Sequence, residues 1–162
     1  MNKAISIIMG SESDLDTVNE SVKVLREFKA GFEITVLSAH RTPKEVASYV
    51  ESAQSRGIKV FIAAAGGSAA LAGAIAAHTT LPVIGIPIET KSLKGLDSLL
   101  STAQMPGGIP VASMAIGKAG AKNAALFALE ILGVNDGLIR KKLAVYKKNM
   151  RIKVLKQKIK IK

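Results

Sequence analysis

The 162-residue chain is 48% hydrophobic, with four Phe, two Tyr and no Trp, so it holds enough aliphatic material for one compact domain with a sizeable core. It has no cysteine, which excludes disulfides, thiolate zinc sites and a Cys nucleophile and is compatible with a reducing cytoplasm. The net charge of +11 is local: residues 140–162 carry eleven basic side chains and no acid, leaving twelve charges of each sign in residues 1–139.

The chain opens with an apolar run from Ala4 to Met9 that breaks at Gly10, too short for the roughly 20 residues of a membrane span and better read as a buried strand than as a signal peptide. Leu15, Val18, Val22 and Leu25 follow at helical spacing. A second strand is expected at Phe32–Leu37. The next helix opens at Thr42-Pro43-Lys44-Glu45, with Thr42 as cap, Pro43 at the first helical position and Glu45 completing a capping box. A third strand, Lys59–Ala64, precedes a small-residue stretch and an Ala- and Gly-rich helix running to about His78. Pro82–Pro87 is uniformly apolar, as a central strand covered on both faces would be. A short helix through Leu100, a fifth strand at Ile109–Met114, and helices from Gly120 to Leu132 and from Asp136 into the 150s complete the chain. This alternation predicts a three-layer, doubly wound parallel sheet of about five strands in flavodoxin-like order with a C-terminal helical extension. The expected division is a catalytic α/β domain over residues 1–135, with the basic helix and tail of 136–162 belonging to the same domain.

In such a sheet ligands bind beyond the carboxyl ends of the strands. Gly10-Ser11-Glu12-Ser13-Asp14 suits a phosphate at a helix N-terminus, and equally an ordinary helix cap. Ser38-Ala39-His40-Arg41 sets an imidazole beside a guanidinium, fit for proton transfer and anion binding, or simply a structural His next to a surface Arg. Ala65 to Gly73 is nearly without side chains, which suits either a flat ring against backbone or close helix packing, and it lacks the dinucleotide fingerprint. Gln104 to Gly108 reads as a turn, and His78 as a surface or helix-capping residue.

Taken together, Met9-Gly10-Ser11-Glu12-Ser13-Asp14, Ser38-Ala39-His40-Arg41-Thr42-Pro43 and Gln104-Met105-Pro106-Gly107-Gly108-Ile109-Pro110-Val111 resemble the N5-carboxyaminoimidazole ribonucleotide mutase family of purine synthesis. Leu96-Asp97-Ser98-Leu99 and Ala115-Ile116-Gly117-Lys118 extend the likeness, which runs from about Ile5 to Leu132. The resemblance implies that Ser11, Asp14 and Arg41 bind the ribose 5-phosphate, that Ser38 lies beside the reacting groups, and that His40 is the general acid and base. Gly66, Gly67 and Leu71 would also bind the substrate, and the 65–73 stretch to which they belong would form a tight, dry cavity that retains carbon dioxide between decarboxylation and recarboxylation. It implies no metal, ATP or organic cofactor, a small ribonucleotide substrate, and a cytoplasmic homo-octamer whose C-terminal helix packs on neighbouring subunits. The family commonly reads Ala-His-Leu-Pro-Gly where this chain reads Ala69-Ala70-Leu71-Ala72-Gly73.

Two other readings fit the same residues: direct carboxylation of aminoimidazole ribonucleotide by carbon dioxide, and a non-catalytic nucleotide-binding paralogue. In the C-terminal helix Ile139, Leu143, Tyr146 and Met150 form one apolar stripe, the expected oligomer contact. Lys147, Lys148, Arg151, Lys153, Lys156, Lys158, Lys160 and Lys162 read as a solvated basic end; neither an aromatic stacking platform nor a nucleic-acid module accompanies them.

Overall fold

The computed structural model describes residues 3–159, so Lys160 and Lys162 of the basic end lie outside the described residues. The chain forms two compact units, Met1–Ala128 and Leu129–Lys162.

The first unit is built on five parallel strands in the order β2-β1-β3-β4-β5, namely β1 Ile5–Met9, β2 Phe32–Val36, β3 Val60–Ala65, β4 Val83–Pro87 and β5 Ala112–Ser113. β1, β3 and β4 are the central strands; their mostly apolar residues, broken in β1 by Ser6, are almost wholly buried. Side chains alternate across the sheet, so Ser6 and Ile8 face one layer while Ile5, Ile7 and Met9 face the other. On the first face α2 (Pro43–Glu51) and α3 (Leu71–Ala77) bury Val46, Val50, Leu71, Ala72 and Ile75 against Ile8, Phe61 and Ala63. α4 (Leu96–Ala103) packs on β4, where a Cβ on Gly85 would stand 2.2 Å from Thr102 Cγ2. That position must be glycine for the helix to approach the sheet.

α1 (Leu15–Glu27) meets the first turns of α5 (Gly117–Gly133) through a bond of 2.6 Å from Ser21 Oγ to the Ala121 carbonyl. Ala121, Ala124, Ala125 and Ala128 are completely buried. Small residues on that helix face let the backbones approach.

The fifth strand is shorter than the expected Ile109–Met114: only Ala112 and Ser113 pair with Ile84 and Gly85. Pro110 has no N–H to give a ladder, so residues 109–111 run as irregular chain before pairing begins.

In the second unit α6 (Gly137–Leu155) is capped by Asp136, whose carboxylate accepts from the Leu138 and Ile139 amides at 2.9 and 3.1 Å. Leu143 is buried and contacts the end of α5: a Cβ on Gly133 would lie 3.4 Å from Leu143 Cδ1. Lys147 pairs with Glu130 at 2.7 Å. Met150, from the same predicted stripe, is 44% exposed, as are many other apolar groups of α6. No helix among the described residues is long and apolar enough to cross a membrane.

Candidate active site

The carboxyl ends of β1, β2, β3 and β4 open into a cleft of about 550 Å³. Its wall brings together Ser11, Asp14, Ser38, His40, Arg41, Gly66 and Leu71 from the predicted site residues. These come from three separate loops, after β1, β2 and β3, joined only by the strand order.

At the end of β1, Ser11 caps a short 3-10 turn, Glu12–Asp14, that leads into α1. Its hydroxyl accepts from the Ser13 amide (3.3 Å) and the Ser13 hydroxyl (2.9 Å), keeping two hydroxyls together at a helix start. Such an end suits an anion, because the clustered hydroxyls stand where the helix start carries partial positive charge. Asp14 is buried, and burial pushes its carboxyl above the ordinary range. Hydrogen bonds from Ser13 and the Ser11 backbone, and the charge of Arg41, oppose that rise without cancelling it.

At the end of β2 the chain turns tightly around Ser38. Thr42 does not cap α2 with its side chain. Instead its hydroxyl accepts from the Ser38 amide at 2.9 Å and donates to the Ser38 carbonyl at 3.0 Å. The capping box expected with Glu45 is therefore absent, since the hydroxyl closes a five-residue turn at the strand end. Ala39, His40 and Arg41 sit at the crest of that turn, with His40 and Arg41 exposed to the cleft. Arg41 Nη2 donates to the Gly10 carbonyl at 2.8 Å, and Nε reaches Ser38 Oγ at 3.4 Å. The rest of its fork is free to meet an anion.

The opposite side is made by the loops after β3 and β4. Gly66, Ser68, Ala70 and Leu71 line it, whereas Gly67 does not: its amide donates to Ser98 Oγ at 2.9 Å, behind the wall. Gly67 has φ +67°, a left-handed conformation that favours glycine. Ile88, Glu89 and Thr90 also line the cleft. The sequence reading passed over them, although they follow a strand and so satisfy the placement rule that found the other loops. Glu89 adds a carboxylate and Ala70 a methyl group to this side.

The Gln104–Gly108 turn is not part of this cleft. Gly108 lies instead with His78 and Glu51 in a separate hollow, where His78 Nδ1 and Glu51 Oε1 are 3.1 Å apart. Among the described residues no group of three or more His, Asp or Glu side chains is arranged to hold a metal ion.

Residues 4–153 match the model of the AIR carboxylase family. The chain belongs to the AIR carboxylase family. It is 55% identical over 150 residues to the N5-carboxyaminoimidazole ribonucleotide mutase of Pyrococcus horikoshii, covering 93% of this chain and 84% of that one. The Bacillus subtilis enzyme of the same name is 51% identical over 155 residues, 96% of each chain. A crystal structure of Treponema denticola PurE superposes with a TM-score of 0.85 at 28% identity, over 94% of both chains. The AIR carboxylase match thus spans the cleft and most of α6.

Proposed function

We propose that this chain is a mutase of purine biosynthesis that isomerises N5-carboxyaminoimidazole ribonucleotide to 4-carboxy-5-aminoimidazole ribonucleotide. The observation that carries the reading is the pairing of His40 and Arg41 on one turn, beside the hydroxyls of Ser11 and Ser13 at the end of the neighbouring strand β1, in a single cleft. Kinship with curated mutases over nearly the whole chain supports the same reaction.

Ser11 and Arg41 hold the phosphate, with hydroxyls at a helix start and a guanidinium supplying charge-assisted hydrogen bonds. Asp14 takes a sugar hydroxyl, and Ser38 stands at the reacting end. His40, protonated, gives a proton to the substrate nitrogen as its bond to the carboxyl carbon breaks, releasing carbon dioxide. The ring carbon attacks that carbon dioxide, and neutral His40 removes the ring proton to restore aromaticity. One proton is given and one recovered, so the reaction is an isomerisation. Gly66 and Leu71 supply an apolar wall that retains the neutral gas; Gly67 supports that wall from behind. The same reading places the enzyme in the cytoplasm as a homo-octamer, a state supported by the exposed apolar side chains of α6.

The test is conversion of the N5-carboxy substrate without ATP, metal or bicarbonate, for wild type and His40→Asn. Wild-type turnover with a loss of about 10²–10⁴-fold in the variant is expected for removal of a general acid and base. Turnover that appears only with aminoimidazole ribonucleotide and bicarbonate would replace the mutase by a carboxylase. Binding without either reaction would leave a nucleotide-binding paralogue.

A further inference from the structure

The start of α4 reaches both loops of the β3–β4 side, although neither Asp97 nor Ser98 lines the cleft. Ser98 is fully buried. Its hydroxyl accepts from the Gly67 amide at 2.9 Å and donates to the Ile88 carbonyl at 2.7 Å. The single hydroxyl proton is thereby committed to Ile88, and one side chain ties the loop after β3 to the loop after β4. One residue earlier, Asp97 Oδ1 accepts from Thr90 Oγ1 at 2.8 Å, and Thr90 Oγ1 in turn accepts from the Gly95 amide at 3.2 Å.

The backbones are equally close. Gly95 has φ +89°, and a Cβ there would lie 3.2 Å from both Glu89 Cα and the Ile88 carbonyl oxygen. A Cβ on Gly66 would lie 3.4 Å from Ile88 Cβ and 3.7 Å from Thr90 Cγ2. The two loops therefore touch each other, and the first turn of α4 fixes both from behind.

We propose that Ser98 and Asp97 are positioning residues for the isomerisation, setting the spacing of the Gly66–Ser68 and Ile88–Thr90 loops so that released carbon dioxide stays beside the ring. The inference rests on the mutase reading. Carbon dioxide is small and uncharged and offers no hydrogen to donate, so its retention depends on a close-fitting wall more than on any attractive contact. A wall displaced by an ångström changes productive encounters by a large factor. Escape after the nitrogen–carbon bond has broken leaves the protonated amine behind, so each lost turnover yields one aminoimidazole ribonucleotide and one carbon dioxide.

The experiment measures that leak as aminoimidazole ribonucleotide formed per substrate consumed, above the enzyme-free background, for wild type, Ser98→Ala, Asp97→Ala and Thr102→Val. Ser98→Ala is expected to raise the leak about fivefold and lower kcat about tenfold. KM should stay within about threefold, because the phosphate end on β1 and β2 is untouched. Asp97→Ala, at a half-buried residue outside the cleft, should raise the leak in the same direction. Thr102→Val is the control: it deletes a buried hydroxyl that donates within α4 to the Ser98 carbonyl at 2.7 Å. Its leak should match wild type, since that bond reaches neither loop.

A leak in Ser98→Ala within twofold of wild type, or an equal rise in Thr102→Val, overturns the assignment. Should Ser98→Ala fail to fold, Asp97→Ala decides by the same criterion. Absence of wild-type turnover sinks the mutase reading and this inference with it, whereas wild-type turnover with unchanged leaks sinks the positioning role alone.

Discussion

Arg41 Nη2 lies 2.8 Å from the Gly10 carbonyl, so the guanidinium that crowns the β2 turn is anchored on the end of the neighbouring strand β1. That bond and the contact with Ser38 Oγ hold the fork in one plane while the remaining donors face the cleft. Arg41→Lys keeps the charge but loses the fork and one of these anchors. We expect KM for the ribonucleotide to rise about 10- to 100-fold, the range set by loss of a charge-assisted hydrogen bond. Steady-state kinetics and calorimetric titration with ribose 5-phosphate check it; an unchanged KM would remove Arg41 from the phosphate site.

Burial pushes the Asp14 carboxyl above its ordinary value, against the pull of Ser13, Ser11 and Arg41. The sign of the linkage follows. The fold favours the protonated form, so this contribution is fully present below the unfolded-state value of 3.8 and is lost as pH rises through the raised folded value. At neutral pH the ionised group is therefore a burden on stability. Asp14→Asn should raise the urea midpoint at pH 7, with the gain shrinking as pH is lowered toward 4, while substrate binding weakens. An equal or larger gain at pH 4 would contradict the burial argument.

The strand and helix order was readable because apolar runs and amphipathic stretches have different periods, and five alternations leave few topologies. The same placement rule found Ser11, Ser38, His40 and Arg41, since each follows a strand directly. What escaped notice depends on which of several partners a polar group chooses in space. Thr42 has the right sequence for a capping box, yet its hydroxyl closes the Ser38 turn. Gly67 looked like a cleft residue but turns its amide to Ser98, 31 positions away. Glu89 and Thr90 directly follow β4, which lies beside β3, so the placement rule reaches them even though they carry no motif of their own. The Gln104–Gly108 motif was legible as a turn, and its distance from this cleft was not.

On the opposite end of β1 and β2, the Tyr49 hydroxyl bonds both Ser6 Oγ at 2.9 Å and Glu33 Oε1 at 2.5 Å, and Arg56 stacks over the ring. Burial alone would raise the Glu33 carboxyl, but hydrogen bonds from Tyr49 and Arg56 and the charges of Arg56 and Lys3 bring it below the ordinary value. Its stabilisation is thus present above the unfolded value of 4.5 and is lost as pH falls through the lowered folded value. Tyr49→Phe should lower stability by about 1.5–3 kcal/mol near neutral pH, the scale of one lost hydrogen bond to a charged group. The loss relative to wild type should narrow as acid protonates Glu33, and kcat should not change because the network is outside the cleft. Thermal unfolding across pH 3–7 with parallel kinetics would reveal either failure.

On α6, Leu138 and Val145 are seven residues apart and remain 73% and 57% exposed, while Val154, eleven residues beyond the buried Leu143, is 63% exposed. Such spacing places each pair on nearly the same face of a helix, so the side chains form stripes suited to another helix. Burial of a Val or Leu side chain contributes about 1.5–3 kcal/mol, and a charge placed there must be desolvated instead. Val145→Glu should therefore split the proposed octamer into smaller species without unfolding the α/β unit. Light scattering should give wild type the mass of eight 17.0 kDa chains and the variant a smaller mass, with circular dichroism unchanged. An intact octamer in Val145→Glu would mean that this stripe faces solvent in the assembly and that subunits meet elsewhere.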